Sequence, residues 1–306
     1  AEKGEKVVVG VDGGHGCAGA VRYAAERAQR AEVALELVHV VPSYVPGSPM
    51  MPVLAQEISH AGEQILEQER SRLARELPNL EVQTRRLTGP RIAALVDAAR
   101  SSALLVVGRE TRSGLERLMG AGTTAAVATH SSVPVVVVPQ DWTDPGVGGP
   151  VVVGLKSLAH SGELLRTAFE AATDRGVPLV VVHTWRLPDE YLDRIEARSH
   201  VDEWIARGEE LAREALAPWR QEYPDVPVRV NVVHDDPAPA LVKASRDASL
   251  AVLVRRPRTP VLGQHLGGTG RAVIRAATCP VMVVPSAAVP AEMPDLQVEA
   301  SGAMLR

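Results

Sequence analysis

The chain has few cysteines and no histidine cluster, which argues against a disulfide framework or a metal site. Its two cysteines, Cys17 and Cys279, lie far apart and outside any spacing typical of metal ligands. We expect both to be buried or idle free thiols. Six histidines also lack metal-ligand spacing and a neighbouring Ser/Asp set for nucleophilic catalysis, so most are expected to be structural or exposed. They are His15, His39, His130, His160, His183 and His265.

Long apolar runs and blocks of like charge are also missing. The net charge is −4 at pH 7, and acidic and basic residues are interspersed, so we expect no nucleic-acid or anionic-membrane partner. No apolar stretch approaches the roughly 20 residues that span a bilayer. The segment Ala1–Lys6 has no apolar signal-peptide core. The sequence therefore predicts a soluble, cytoplasmic protein.

The most informative stretch runs from residue 104 to 139. Its order is an apolar run, Gly108, a polar loop, a small-residue cluster (Gly120–Thr124), an Ala/Val segment and the apolar run Pro134–Pro139. This order predicts strand, loop, helix, strand, and the lack of polar alternation is typical of parallel strands covered on both faces. Glycines at a helix start leave backbone N–H groups open to an anion, so the stretch is a candidate phosphate site.

A second copy of this stretch indicates an internal duplication. Leu250–Val254 is followed by a loop, the cluster Gly267–Gly270, a helix-like segment and Pro280–Pro285. Earlier in the chain, Gly154 repeats Gly10 and His183 repeats His39. We therefore predict a first domain at 1–140, a linker at 141–149, a second domain at 150–286 and an irregular tail at 287–306.

Strand-like and helix-like segments alternate through both copies. In the first, the predicted strands and helices are Lys6–Asp12, 17–29, Val33–Val41, Leu54–Leu77, Leu80–Leu87 and a helix opened by Gly89-Pro90. The second copy has a longer charged helical region, Pro188–Gln221, before its third strand. The alternation predicts two doubly wound α/β domains, each with a five-stranded parallel sheet. A ligand is expected outside the carboxyl ends of the strands, where the strand order reverses.

Four segments in each half carry a resemblance to a known family. In the first half they are Val8–Gly13, His39-Val40, Leu104–Gly108 and Ser132–Val138. In order and spacing they look like a universal stress protein domain, and the whole chain resembles the tandem form. The resemblance implies the strand order 3-2-1-4-5 of an adenine-nucleotide alpha-hydrolase-like fold. It also implies that the last strands of the two domains pair, which would give an intramolecular pseudo-dimer.

The resemblance also implies a nucleotide motif, Gly-x2-Gly-x9-Gly-Ser/Thr, which marks the ATP-binding members of the family. Read without gaps, the first copy has Gly108, Thr111, Ala121 and Gly122 at these positions, so only the first matches. Asp12 and Val40 match the adenine contacts of the family. The candidate nucleotide-binding residues are Asp12, Gly13, Val40, Gly108, Gly120, Gly122 and Thr123.

The second copy departs further from the motif. Lys156 replaces the acid, while Val254 and Pro257 replace the first two glycines and only Gly267 matches. Because proline removes an N–H and valine adds a side chain, this copy is not expected to bind ATP in the family manner.

Each of these residues also has a possible structural role without a ligand. The glycines around Gly108 also suit a tight strand-to-helix connection, and Asp12 also suits a strand-end acid or helix cap. Arg109 and Arg112 could reach a phosphate or sit on a solvated loop. An arginine cluster near the second site could bind another anion, although surface charge is favoured; its members are Arg255, Arg256, Arg258 and Arg271.

Competing nucleotide motifs are weak. There is no Gly-x4-Gly-Lys-Ser/Thr, and the Gly-x-Gly-x-x-Gly match at 14–19 lacks an acid at the end of the next strand. The expected function is a non-catalytic stress-response protein that binds ATP or another adenine nucleotide in its first domain and acts on an unknown protein partner. The alternatives are a tandem interaction module without nucleotide and an enzyme acting on adenylates. Further association into a homodimer is left open.

Overall fold

The computed structural model describes residues 6–41, 51–109, 123–143, 148–156, 161–255 and 266–285. The first repeat contains β1 (Lys6–Gly10), a 3-10 turn (His15–Cys17), α1 (Ala18–Arg30), β2 (Ala34–Val41), α2 (Met51–Glu76), β3 (Val82–Thr88), α3 (Arg91–Ala98), β4 (Leu104–Gly108), α4 (Thr123–His130) and β5 (Val135–Val138). The second contains β6 (Val151–Gly154), α5 (Gly162–Arg175), β7 (Leu179–Trp185), α6 (Glu190–Ser199), α7 (Val201–Glu222), β8 (Val228–His234), α8 (Pro237–Ala244), a 3-10 turn (Ser245–Asp247), β9 (Leu250–Val254), α9 (Gly268–Ala276) and β10 (Val281–Val284).

All ten strands belong to one sheet with the order β3-β2-β1-β4-β5-β10-β9-β6-β7-β8. Within each repeat the neighbouring strands are parallel and follow the order 3-2-1-4-5. The repeats meet where β5 and β10 pair antiparallel, with Val136 opposite Met282. This confirms the doubly wound α/β fold and the prediction that the two repeats pack through their last strands.

The antiparallel seam places the carboxyl ends of the strands of the two repeats at opposite sides of the sheet. Strands of the first repeat all run one way and strands of the second run the other way, because only the β5–β10 pairing is antiparallel among the strand pairs of the described residues. The carboxyl end of β4 therefore lies near the segment that leads into β10. By the same symmetry, the carboxyl end of β9 lies near the segment that leads into β5.

Helices cover both faces of the sheet, which is why its central strands carry almost no polar residues. One apolar core lies under α1, α2, α5 and α7, and the other lies under α3, α4, α8 and α9. Alternate residues of β5 serve the two cores: Val136 and Val138 face the first, and Val135 and Val137 face the second. Each fully buried valine contributes roughly 1.5–3 kcal/mol. Both cores continue across the seam.

The segment predicted as a linker is partly docked on the first repeat. Trp142 packs edge-to-face on Tyr23 of α1, with ring centroids 5.6 Å apart. The Tyr23 hydroxyl in turn accepts a hydrogen bond of 2.7 Å from Arg175 of α5 in the second repeat. Arg27 and Asp174 add an ion pair of 3.0 Å between the same two helices. Helices α1 and α5 of the two repeats are therefore joined directly by a hydrogen bond and an ion pair.

The long helical region expected in the second repeat is divided into α6 and α7. His200 ends the first helix and begins the second, with φ −132° and ψ 24°, values outside the helical range. The Asp189 carboxylate caps the start of α6 by accepting from the Leu192 N–H at 2.8 Å.

Among the described residues, none of the helices combines the length and the apolar composition of a membrane span.

Both cysteines are free and buried, as expected. Burial raises the pKa of the Cys279 thiol to about 12. Among the residues that the structure describes, no group of three or more His, Cys, Asp or Glu side chains could hold a metal ion.

The seam can be tested by burying a charge in it. Val136→Asp should lower the free energy of unfolding by on the order of 3–5 kcal/mol, because the carboxylate would be buried between the repeats without a partner. Val233→Asp is the control, since this β8 valine is 36% exposed and the change should cost under about 1 kcal/mol. Urea unfolding measures both. Equal losses in the two variants would contradict a buried seam.

Candidate functional site

A crevice of about 290 Å³ opens at the carboxyl ends of β1, β2 and β4 in the first repeat. It lies between β1 and β4, the point at which the strand order reverses, which is where the sequence predicted a ligand. The walls are formed by the strand ends, the start of α1 and the start of α4. Its lining residues are Gly10, Val11, Asp12, Gly16, Cys17, Val38, His39, Val40, Arg91, Leu95, Val107, Gly108, Arg109, Thr123, Thr124, Val127 and Gln140.

Asp12 lies at the rim, two residues after the end of β1, with its side chain exposed to solvent. Its Oδ1 accepts a hydrogen bond of 2.9 Å from the Gly14 N–H, which holds the turn that leads into α1. This local role fits the expectation of a strand-end acid. The carboxylate also faces the crevice, where it can accept from a ligand.

Val40 lines the crevice beside His39, but the histidine is held by the protein itself. The His39 Nδ1 lies 2.7 Å from the Val11 carbonyl oxygen, so this nitrogen carries the proton and donates. The second repeat repeats the contact, with His183 Nδ1 2.9 Å from the Leu155 oxygen. Both histidines therefore have the structural role that the sequence favoured.

Gly108 ends β4 at a position where a side chain does not fit. A Cβ atom there would lie 2.8 Å from the Gly16 carbonyl oxygen, closer than real Cβ contacts. Beside it, the Thr124 hydroxyl donates to the Gly108 carbonyl at 3.3 Å. Thr123, the first residue of α4, lines the same wall. Thus Gly108 allows the turn before α1 to approach β4 closely.

Not every predicted residue lies at the crevice. Gly13 has φ +78°, and a Cβ there would lie 2.5 Å from Cδ1 of Ile65 in α2, so this glycine serves the turn and the packing of α2. It is absent from the lining. The predicted residues Gly120 and Gly122, like Thr111, Arg112 and Ala121, lie outside the described residues. Their roles stay predictions.

The sequence reasoning missed three lining residues that bear on an anionic ligand: Arg91, Thr124 and Gln140. Arg91 is exposed and begins α3 directly after Pro90. Thr124 follows Thr123, and two adjacent hydroxyls at a helix start were a usable signal. Gln140 follows the last residue of the Pro134–Pro139 run, so its contribution depended on how the segment after β5 turns.

Arg109 was predicted either to reach a phosphate or to lie on a solvated loop, but the structure places it half-buried, directly after β4. Its backbone N–H continues the sheet by donating to Val138 at 2.7 Å. Its guanidinium Nη1 donates to the Ala277 carbonyl, 2.5 Å away, in the second repeat. Burial lowers the pKa of Arg109 from its ordinary value, and the nearby Asp141 carboxylate offsets part of this effect. The residue joins the crevice to the other repeat.

The equivalent arginine of the second repeat corrects a prediction. Arg255 was expected to be surface charge, but it is only 4% exposed. Its Nη1 donates to three backbone carbonyls of the first repeat: Ala128 at 3.4 Å, Thr129 at 2.5 Å and Ser131 at 2.9 Å. Arg271 is exposed, as expected, and Arg256 and Arg258 lie outside the described residues.

The second repeat has different chemistry at the positions that form the crevice. Exposed Lys156 stands where the first repeat has Asp12, and Val254 stands in place of Gly108. The buried guanidinium of Arg255 follows Val254 directly. These replacements remove the acid and the bare backbone that characterise the first site.

The sequence profile of the Universal stress protein family matches the chain twice, over residues 4–139 and 149–285. The chain therefore belongs to the universal stress protein family and contains two copies of its domain. A universal stress protein of Mycobacterium tuberculosis is 31% identical over 302 residues, covering 90% of this chain and 94% of the relative.

A solved structure of similar length agrees on the fold. A universal stress protein from Archaeoglobus fulgidus superposes with a TM-score of 0.69 at 15% identity, covering 93% of this chain and 97% of that chain. A shorter universal stress protein solved in complex with cAMP is 27% identical and covers 46% of this chain and 100% of its own, with a TM-score of 0.35.

The close approach at Gly108 leads to a stability prediction. Gly108→Ala should lower the free energy of unfolding by roughly 1–3 kcal/mol, because the methyl group meets the Gly16 backbone. Gly162→Ala at the start of α5 is the control, because in the described part of the chain no atom beyond its own helix backbone and chain neighbours lies within 4 Å of its Cβ position. That change should be neutral or stabilising by under about 1 kcal/mol. Denaturant unfolding that shows no difference between the two variants would contradict the packing described.

Proposed function

We propose that the protein is a non-catalytic stress-response protein that binds ATP or another adenine nucleotide in the first-repeat crevice. One observation carries the proposal: Asp12, Val40, Gly108 and Thr123, which were selected from the sequence, lie around a single opening at the sheet's switch point. The volume of about 290 Å³ is near the lower end of small-molecule sites, which span roughly 300–1,000 Å³.

The crevice has an acidic rim and a wall suited to phosphate. At the rim, the Asp12 carboxylate can accept from the exocyclic amine of adenine, while Val40 supplies an apolar wall and backbone groups. At the other wall, the first turn of α4 offers backbone N–H groups that have no acceptor within the helix, together with the hydroxyl of Thr123. Arg91 and Arg109 add positive charge beside them. A molecule with an amine at one end and a phosphate at the other matches this polarity.

A role without catalysis is favoured by how the crevice histidine is held. The Nδ1 of His39 donates to the Val11 carbonyl, and its other nitrogen, Nε2, lies against α2, where a Cβ atom added at Gly62 would be 3.2 Å away. A general base needs a nitrogen that reaches the water or hydroxyl from which it takes the proton. Nucleotide occupancy would then act by favouring one of two conformations, which requires different affinities for the two. We propose that a protein partner reads this difference.

A tandem interaction module without nucleotide is the alternative, and two contacts favour it. The Asp12 carboxylate already accepts from Gly14, and the Arg109 guanidinium already donates to Ala277. In that case both groups serve the protein's own structure, and the crevice would bind no nucleotide.

Calorimetric titration with ATP, ADP, AMP and GTP separates these functions. Saturable binding of the adenine nucleotides is expected, and Asp12→Ala should weaken it by about tenfold because a charged hydrogen bond to the base is lost. Lys156→Ala changes the equivalent position of the second repeat and should leave the affinity unchanged. A thermal-shift series gives an independent readout, since a ligand that binds only the folded state raises its stability.

Three outcomes would overturn parts of the proposal. No binding of any adenine nucleotide would favour the interaction module. A loss of affinity in Lys156→Ala but not in Asp12→Ala would move the site to the second repeat. Steady release of product during incubation with ATP would make the protein an enzyme.

A further inference from the structure

Arg109 takes part in two separate sites. It lines the first-repeat crevice, and its guanidinium Nη1 reaches across the seam to the Ala277 carbonyl at 2.5 Å. We propose that Arg109 is a phosphate-binding residue that releases Ala277 when an anionic nucleotide enters, and so reports occupancy of the first repeat to the second. This inference rests on the proposed nucleotide site and adds a ligand contact and a regulatory consequence to it.

The symmetry of the fold shows how Arg109 differs from its counterpart. Arg109 follows the last residue of β4, and Arg255 follows the last residue of β9, and each guanidinium crosses the seam to the end of a helix in the other repeat. Arg255 is 4% exposed and donates to three carbonyls. Arg109 is only half-buried, and among the described residues its one hydrogen bond across the repeats goes to the Ala277 carbonyl. Arg255 is therefore fixed, while Arg109 can exchange partners.

A phosphate would compete well for this guanidinium. A phosphate carries negative charge and so attracts the guanidinium more strongly than a neutral carbonyl does, and arginine can bind it through two N–H groups at once. The Ala277 carbonyl is a neutral acceptor and satisfies one of the five N–H donors. Partial burial already removes water from the guanidinium, so an anion in the crevice meets less solvent competition.

Release of Ala277 would remove a hydrogen bond from the end of α9. Ala277 is the residue at which this helix ends, and its carbonyl belongs to the helix terminus that lacks internal donors. The next residue, Thr278, is bonded to Ser245 through two contacts: its N–H donates to the serine Oγ at 3.2 Å, and its hydroxyl donates to the serine carbonyl at 2.9 Å. Loss of the Arg109 contact would loosen this junction between α8, α9 and β10.

In the first repeat, helix α4 also connects the crevice to the second repeat. Helix α4 begins at Thr123 and Thr124 in the crevice and ends at the carbonyls held by Arg255. A ligand at the start of α4 therefore acts on a helix whose far end is fixed by the second repeat. Arg255 therefore keeps its contacts across the repeats while Arg109 exchanges its partner.

Hydrogen exchange with two ligands tests the inference on the wild-type chain. The amides of residues 276–279 should exchange slowly in the free protein and at least about threefold faster with saturating ATP. Saturating adenosine, which fills the base end without a phosphate, should leave their exchange unchanged. This comparison needs no variant, so it holds even if a substitution at Arg109 prevents folding.

Two variants with equal loss of charge then identify the residue. Arg109→Gln should exchange fast at residues 276–279 with or without ATP, and should bind ATP roughly tenfold more weakly but adenosine within about twofold of the wild type. Arg91→Gln removes a cation from the same crevice without touching Ala277, and should keep the ATP-induced rise in exchange. Calorimetry supplies the affinities.

The outcomes separate this inference from the proposed function. If wild-type protein binds ATP but exchange at 276–279 does not respond, or responds equally to adenosine, the Arg109 inference is wrong and the nucleotide site stands. An Arg109→Gln variant that keeps full ATP affinity would overturn it in the same way. If the wild type binds no nucleotide at all, both are wrong.

Discussion

The antiparallel pairing of β5 with β10 is the constraint on which the rest of the structure depends. It turns two five-stranded sheets into one, carries both apolar cores across the junction and fixes the two repeats in opposite directions. Because of this reversal, the end of β4 is placed against the segment that precedes β10. The contacts of Arg109 and Arg255 are a direct result of that geometry.

The two repeats share a backbone but have diverged in chemistry. Equivalent histidines donate to equivalent carbonyls, and equivalent arginines cross the seam to equivalent helix ends. At the rim, however, one repeat presents the carboxylate of Asp12 and the other the ammonium group of Lys156. The two copies thus share the framework of strands and seam contacts, while only the first has the acid predicted to contact a nucleotide.

Much of the fold was predictable from the sequence because its signals are local or repeated. Buried parallel strands read as short apolar runs, the duplication allowed one half to check the other, and the last strands stood out by their flanking prolines. The sequence placed four residues near one another, since each follows or ends a strand of one parallel sheet or begins the next helix: Asp12, Val40, Gly108 and Thr123. Their role toward a ligand remains a prediction.

The remainder depended on contacts between distant parts of the chain. Gly13 belongs to the packing of Ile65, which no spacing in the sequence reveals. Arg255 looks like surface charge, because an arginine is rarely buried unless acceptors surround it, and its acceptors come from the other repeat. The double position of Arg109 follows only once the direction of the second repeat is known. Local pattern cannot supply that direction.

One consequence concerns the free edges of the sheet. Because β5 and β10 pair with each other, the outermost strands of the sheet are β3 and β8. Their residues are largely exposed and include Arg85, Arg86 and Arg229. Charged side chains on an edge strand discourage the addition of another chain, which is how natural sheets avoid aggregation. In the part of the chain that the structure describes, the pairing of the two repeats therefore leaves only edge strands that disfavour the addition of a further strand.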